Sequence, residues 1–175
     1  MTHEIPYVPK KAIVIVVVGD SFEANALRAV LENFNYIVTV HWVGSRKEFL
    51  MLLGGDIPIN DEIIVLSCHG IEQGIEIPGE EPVGPQEISE VAKLPNKTIV
   101  NLGCKTGGAA FQEAFIQAGA AHYIAPDDYP EGSAAMAFAV NVFYFLKTGK
   151  SLHEAVAQAS GMDDETGQFK LADQD

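Results

Sequence analysis

The sequence DEIIVLSCHGIEQGI spans Asp61–Ile75, and the sequence TIVNLGCKTGG spans Thr98–Gly108. Each segment begins with an apolar run of the kind that forms a buried parallel strand. The first run ends just before His69, and the second ends just before Cys104. Because open α/β sheets bind ligands at the carboxyl ends of their strands, we expect His69 and Cys104 to lie at the same sheet edge.

A thiol and an imidazole delivered to one edge make a cysteine nucleophile plausible. Thiolate is the reactive form of cysteine, and a nearby imidazole lowers the cost of forming it. The two residues alone leave a second interpretation open, in which Cys104 is an inert buried thiol and His69 is a hydrogen-bonded turn residue.

The composition restricts the class of protein. A length of 175 residues with 47% hydrophobic side chains predicts one globular domain over residues 1–175, with its core over about 12–172. The formal net charge of −13 argues against nucleic acid or an anionic membrane as a partner. Basic peptides, by contrast, would be attracted to such a surface.

The cysteine content and the first apolar run predict a cytoplasmic protein. Cys68 and Cys104 do not make a disulfide framework, and both follow apolar runs, as reduced thiols would. The run Ala12–Val18 is too short to span a bilayer. Gly19 ends it early and no small-residue cleavage site follows, so we interpret it as a first strand rather than a signal peptide.

Strands and helices alternate along the chain, which predicts an α/β fold: a three-layer αβα sandwich around a mostly parallel sheet. The expected strand order is 2-1-3-4-5, with an additional edge strand that could be antiparallel. Six strands are predicted, at Ala12–Val18, Tyr36–Trp42, Glu62–Ser67, Lys97–Leu102, Ala121–Ala125 and Gln168–Ala172. Helices are predicted at Phe22–Phe34, Ser45–Leu53, Pro85–Ala92, Gly107–Ala118, Ser133–Leu146 and Ser151–Ser160, and a small hairpin at Ile71–Pro78. Ser21, Ser45 and Ser151 are the expected N-caps of their helices.

In this order, the segments resemble the caspase-like cysteine peptidases over about residues 12–172. Asp61–Ile75 resembles the His-Gly segment of caspases, in which an apolar strand delivers the catalytic histidine and a hairpin follows. Thr98–Gly108 resembles the nucleophile segment of CHAT peptidases, in which a strand ends in a small residue, Cys, any residue, Thr-Gly. The stretch from Ala118 to Ser160 is similar to the C-terminal half of the same family.

The resemblance implies a caspase-like fold and a role for each matching residue. Cys104 matches the nucleophile, His69 its general base and acid, and the backbone N–H groups of Gly70 and Cys104 the oxyanion hole. Loss of one such donor raises a barrier by about 2.7–4 kcal/mol. We also expect the helix that opens at Gly107 and Gly108 to favour the thiolate of Cys104 through its N-terminus.

The sequence departs from the caspase pattern in its specificity residues. Caspases hold an acidic residue before the scissile bond with arginines, but this chain has only Arg28 and Arg46, both in predicted helices. Related peptidases cut after Arg or Lys by means of a carboxylate in the specificity pocket. The candidates for that carboxylate are Asp20, Asp127 and Asp128, all at the expected edge of the sheet. For each of them, loop solubility or helix capping is the alternative.

No metal and no cofactor are predicted. A zinc site built from Cys68, His69, Cys104 and His122 is conceivable, but neighbouring strand residues point to opposite faces and no Cys-x-x-Cys pair exists. No glycine-rich phosphate-binding fingerprint is present either. The apolar stripe Ala134–Phe145 is expected to face the core and could also contribute to a homodimer interface.

The sequence therefore predicts a cysteine endopeptidase that cuts peptide or protein substrates after a basic residue. Short specificity loops favour an alternative, in which a caspase-like domain with weak or no activity binds or scaffolds partners. A third interpretation is a flavodoxin-like fold with an unrelated small-molecule role.

Overall fold

The computed structural model of the chain describes residues 11–19 and 22–174. Its strands are β1 Ala12–Val18, β2 Ile37–Val43, β3 Ile63–Cys68, β4 Gly70–Ile71, β5 Gly74–Ile75, β6 Thr98–Asn101, β7 His122–Pro126 and β8 Phe169–Asp173. Its α-helices are α1 Phe22–Asn33, α2 Arg46–Gly54, α3 Pro85–Val91, α4 Ala109–Gln117, α5 Gly132–Lys147 and α6 Leu152–Ser160.

The main sheet has the order β2-β1-β3-β6-β7-β8. Its first five strands are parallel, and β8 pairs antiparallel with β7. The short strands β4 and β5 form a separate hairpin. With the hairpin set aside, the order predicted from sequence is confirmed, and so is the antiparallel edge strand.

The central strand β1 explains why the sheet is covered on both faces. Residues 13–18 are all buried, and successive side chains enter opposite cores. Val14, Val16 and Val18 pack on one face, whereas Ile13, Ile15 and Val17 pack on the other. This follows from the two-residue period of a strand, since a continuous apolar run has no face that it can leave in water.

Helices α2, α3 and α4 cover the first of these faces, and α1, α5 and α6 cover the second. Two of the predicted helix starts carry the expected caps. The Ser45 hydroxyl accepts a hydrogen bond from the Glu48 N–H, and Ser151 forms a reciprocal capping box with Glu154. The predicted cap at Ser21 lies outside the described residues.

Helix α5 is strongly apolar, and its inner residues are part of the core, as the sequence predicted. Its Phe138 ring stacks on that of Phe169, with 3.8 Å between the ring centroids. This contact attaches β8 to the helical layer. None of the helices that the structure describes is long and apolar enough to cross a membrane.

We expect Phe138→Ala to lower the free energy of unfolding by about 3–5 kcal/mol, because it leaves a cavity under the Phe169 ring. Chemical denaturation followed by circular dichroism measures the change. Met162 is 50% exposed, so Met162→Ala serves as the control and should change stability by less than about 0.5 kcal/mol. Equal effects of the two substitutions would contradict the assigned packing of β8.

Candidate active site

Two neighbouring strands deliver His69 and Cys104 to the same edge of the sheet. Strands β3 and β6 pair directly and in parallel, with Leu66 beside Asn101. His69 follows the last residue of β3, and Cys104 lies in the turn after β6. The strand ends predicted from the sequence are therefore neighbours, as the parallel arrangement requires.

A cavity of about 500 Å³ opens at this edge, and both His69 and Cys104 line it. Apolar side chains from four parts of the chain make up much of its wall, namely Val18, Phe22, Leu102, Pro130 and Met136. Its polar lining includes Glu23 and Ser67. The cavity thus combines the thiols of Cys68 and Cys104, an imidazole and a carboxylate with a largely hydrophobic surface.

Gly70 is the point at which the histidine segment contacts the cysteine segment. A Cβ built on Gly70 would overlap the backbone carbonyl oxygen of Cys104, so no larger residue fits without a shift. The hairpin beyond Gly70 is held by a hydrogen bond of 2.9 Å from the Glu76 N–H to the His69 carbonyl. The backbone of Gly70 therefore lies against that of Cys104, which is where an oxyanion-hole donor would be needed if Cys104 were a nucleophile.

A buried hydrogen-bond network supports the turn that carries Cys104. The side-chain Oδ1 of Asn101 accepts a hydrogen bond from the Gly103 N–H at 2.9 Å, and its Nδ2 donates to the Tyr123 hydroxyl at 3.0 Å. Tyr123 in turn donates to the Thr106 carbonyl at 2.8 Å. The Thr106 hydroxyl donates to the Gly103 carbonyl at 2.6 Å, which closes the turn.

The thiol of Cys104 is half-buried, and its pKa lies above the ordinary value. Burial is the main cause, and the charges of Glu23 and Asp128 raise it further. A helix N-terminus was expected to favour the thiolate, but the net shift of the Cys104 pKa is upward. Helix α4 begins only at Ala109, after an intervening turn.

The other cysteine, Cys68, also lines the cavity. Cys68 donates a hydrogen bond of 3.3 Å from its Sγ to the Asn101 side-chain oxygen. Burial and the neighbouring Glu23 charge raise its pKa far above the ordinary value. Of the two thiols, Cys104 is the better nucleophile, since the reactive thiolate is less costly to form there.

His69 is exposed, and no hydrogen bond between it and Cys104 is found in the described part of the chain. The polar contact of the thiol is instead a weak one, from Sγ to the Pro130 carbonyl at 3.9 Å. Loose geometry of this kind is common in catalytic sites without substrate, where hydrogen bonds tighten only on binding.

The structure pairs the predicted specificity carboxylates with lysines. Asp128 lies 3.0 Å from the Lys105 Nζ, and Asp127 lies 3.7 Å from the Lys170 Nζ. Neither aspartate is among the residues that line the cavity. The third candidate, Asp20, lies outside the described residues.

The carboxylate that does line the cavity is Glu23, which the sequence analysis missed. The Ser67 hydroxyl donates to it at 3.0 Å and so fixes its orientation at the end of β3. In the sequence, Glu23 is an acidic residue in the first turn of a helix, where a negative charge interacts favourably with the helix dipole. Its position directly after the β1 edge was the available signal for a role in the site.

Both arginines lie away from the cavity, as expected. Arg28 pairs with Glu32 on α1, and Arg46 pairs with Glu87. Of the four zinc ligands considered, Cys68, His69 and Cys104 line the cavity, whereas His122 contacts Asp173 at 2.7 Å. The described residues contain no cluster of three His, Cys, Asp or Glu side chains able to hold a metal.

No protein-family model and no curated protein matches the chain. Solved structures do match it. The separase of Saccharomyces cerevisiae, in complex with securin, is similar over 98% of the chain with a TM-score of 0.64 and 15% identity. The Arg-specific cysteine proteinase gingipain R is similar over 90% of the chain with a TM-score of 0.59 and 14% identity.

The chain has the fold of the caspase-like cysteine peptidases. This confirms the resemblance inferred from the sequence, in place of the flavodoxin-like alternative. The chain spans only 12% of the separase chain and 43% of the gingipain R chain. A second gingipain structure, with pro- and mature domains of Porphyromonas gingivalis RgpB, matches similarly, with a TM-score of 0.58 at 13% identity.

We expect Gly70→Ala to destabilise the protein by about 1–3 kcal/mol and to slow alkylation of Cys104, because the added methyl group displaces the turn that carries the thiol. Denaturant titration and iodoacetamide labelling with peptide mapping measure the two effects. A methyl group added at Gly108 would have no other atom within 4 Å, so Gly108→Ala is the matched control. An unchanged labelling rate in Gly70→Ala would refute the close contact.

Proposed function

We propose that the chain is a cysteine endopeptidase in which Cys104 is the nucleophile and His69 the general base and acid. One observation carries the proposal: the two residues, at the ends of two paired strands, line one cavity beside Gly70. The caspase-like fold supports it, since cysteine peptidases of this fold are among the similar structures.

In the proposed reaction, the Cys104 thiol transfers its proton to His69 as the sulfur attacks the scissile carbonyl. The N–H groups of Gly70 and Cys104 stabilise the resulting oxyanion. The C–N bond then breaks, and the imidazolium gives its proton to the leaving amine. A water molecule, deprotonated by His69, hydrolyses the thioester and releases the free thiol.

The raised pKa of Cys104 fits this assignment of roles. Because the thiol is protonated at neutral pH, the resting site holds no preformed thiolate and needs a base at the moment of attack. His69 supplies it while its imidazole is neutral. Without His69, activity should appear only at alkaline pH, where the thiolate forms unaided.

We further propose that the cavity takes a basic residue before the scissile bond. Glu23, oriented by Ser67, offers a carboxylate inside a mostly apolar cavity, which suits the aliphatic stem and cationic end of Arg or Lys. No arginine that could hold an acidic side chain lines the cavity. The net charge of −13 favours basic substrates as well.

The proposal also covers the substrate class, the domain, the cellular location and the oligomeric state. The substrate is a peptide or protein, a view supported by separase, which is solved with the protein securin. Residues 1–175 would act as one domain in the cytoplasm, without nucleic acid, membrane, metal or other cofactor. The exposed Tyr144 on α5 makes that helix the candidate surface for a homodimer.

A second candidate function is a binding or scaffold module without peptidase activity. It is favoured by the exposed side chain of His69, for which the described residues show no hydrogen bond to Cys104. The two functions differ in whether His69 raises the reactivity of Cys104, which a comparison of the wild type with His69→Ala measures.

Fluorogenic peptides ending in Arg, Lys, norleucine or Asp test the proposed function. We expect turnover of the Arg and Lys series, a loss of about 10²–10⁴-fold in His69→Ala, and no turnover in Cys104→Ala. Faster turnover of the Asp series would overturn the basic preference. No turnover of any series, with Cys104 alkylated at the same rate in the wild type and in His69→Ala, would favour the scaffold module.

The role of Glu23 is tested by Glu23→Gln, which keeps the side-chain shape and removes the charge. We expect kcat/KM for the Arg peptide to fall about tenfold or more while turnover of the norleucine peptide is retained, because only the cation loses its partner. Glu32→Gln, on the exposed part of α1, is the control. A parallel fall for both peptides would assign Glu23 a structural role instead.

A further inference from the structure

Lys105 directly follows the candidate nucleophile and has an unusual backbone conformation. Its φ is 61°, a left-handed value that non-glycine residues rarely adopt. Its N–H donates to the Asp128 carbonyl at 3.0 Å. Conformations of this kind persist where surrounding contacts enforce them, and they cluster at functional sites.

The side chain of Lys105 holds three residues from two other segments. Its Nζ lies 3.0 Å from an Asp128 oxygen, 3.7 Å from a Glu72 oxygen and 5.2 Å from the centroid of the Tyr129 ring. The Tyr129 hydroxyl also lies 3.5 Å from Glu72. We refer to Glu72, Lys105, Asp128 and Tyr129 as the Lys105 clamp.

The clamp connects the segments on either side of Cys104. Glu72 lies at the tip of the β4–β5 hairpin, which begins immediately after His69. Asp128 and Tyr129 lie in the loop after β7, and this loop continues into Pro130, a residue of the cavity wall. One cation therefore joins the histidine side of the site to the opposite wall.

The positive charge of Lys105 also bears on the acidic groups around the Cys104 thiol. The charged or titratable groups around the Cys104 thiol are Glu23 from α1, Cys68 from β3, Asp128 from the loop after β7, and His69 in the same cavity. Lys105 offsets Asp128 and Glu72, which would otherwise repel each other across the site. Without the lysine, the acidic charge near the thiol would be uncompensated.

We propose that Lys105 is a positioning residue that holds the β4–β5 hairpin and the loop after β7 on either side of Cys104. In this way it aligns His69 with the thiol and offsets the acidic charge beside it. The consequence for turnover rests on the proposed peptidase function, whereas the clamp itself does not.

Stability and site geometry should respond differently to loss of the clamp. Lys105 is 26% exposed, and its acidic partners Glu72 and Asp128 are 67% and 61% exposed. Ion pairs this exposed contribute little to global stability. We therefore expect Lys105→Met to leave the melting temperature nearly unchanged while altering the local behaviour of the hairpin and the thiol.

Two measurements that need no turnover test the proposal. In Lys105→Met, amide hydrogen exchange of residues 70–75 and 127–131 should accelerate a few-fold, and the pH midpoint for Cys104 alkylation should rise. Lys105→Arg should restore both values, since it keeps the cation. Lys147→Met removes a remote lysine that lies 5.1 Å from the Phe34 ring centroid, and it should leave both values unchanged.

If peptide turnover is found, Lys105→Met should also lower kcat by on the order of ten- to a hundredfold, with a smaller change in KM, because alignment rather than binding is lost. Should Lys105→Met fail to fold, Glu72→Gln releases the exposed hairpin end alone and is expected to accelerate exchange of residues 70–75. Unchanged exchange and an unchanged alkylation midpoint in a folded Lys105→Met would overturn the proposal. If the wild-type protein shows no peptide turnover, that result would count against the peptidase function and not against the clamp.

Discussion

The position of the candidate nucleophile depends on the hydrogen bonds of one buried amide, that of Asn101. Its side chain accepts from Gly103 and Cys68 and donates to Tyr123, so β3, β6 and β7 are joined directly beneath the catalytic turn. A buried polar group without partners costs about 1–3 kcal/mol, so the amide is stable there only when the strands are in this register. The same bonds hold the Cys68 thiol against the Asn101 side chain.

The order and type of the structural elements were predictable from local patterns. The apolar run of β1 required cover on both faces, and right-handed crossovers then left few possible strand orders. The helix starts at Ser45 and Ser151 were predictable because an N-cap side chain bonds to a backbone N–H only a few residues further along the chain. The meeting of His69 and Cys104 in one cavity followed from the same logic, because parallel strands place their carboxyl ends together.

The side-chain partnerships were not predictable, because they join residues that are distant in sequence. Asp128 and Asp127 were correctly placed at the sheet edge, but nothing local indicated that Lys105 and Lys170 would neutralise them. Glu23 was overlooked since its pattern is equally that of a favourable helix N-terminus. The pKa of Cys104 depends on burial and on charges from separate elements, and therefore had to await the fold.

The contact between Gly70 and Cys104 has a consequence for how such a protein can diversify. Because the two backbones leave no space between them, a larger side chain at Gly70 would require the Cys104 segment to shift as well. Variation is less restricted at exposed positions outside the Lys105 clamp, such as Gln73 at the hairpin tip and Glu131 in the loop after β7. Differences between such proteins should therefore accumulate in loop length and loop charge around an unchanged Gly70–Cys104 contact.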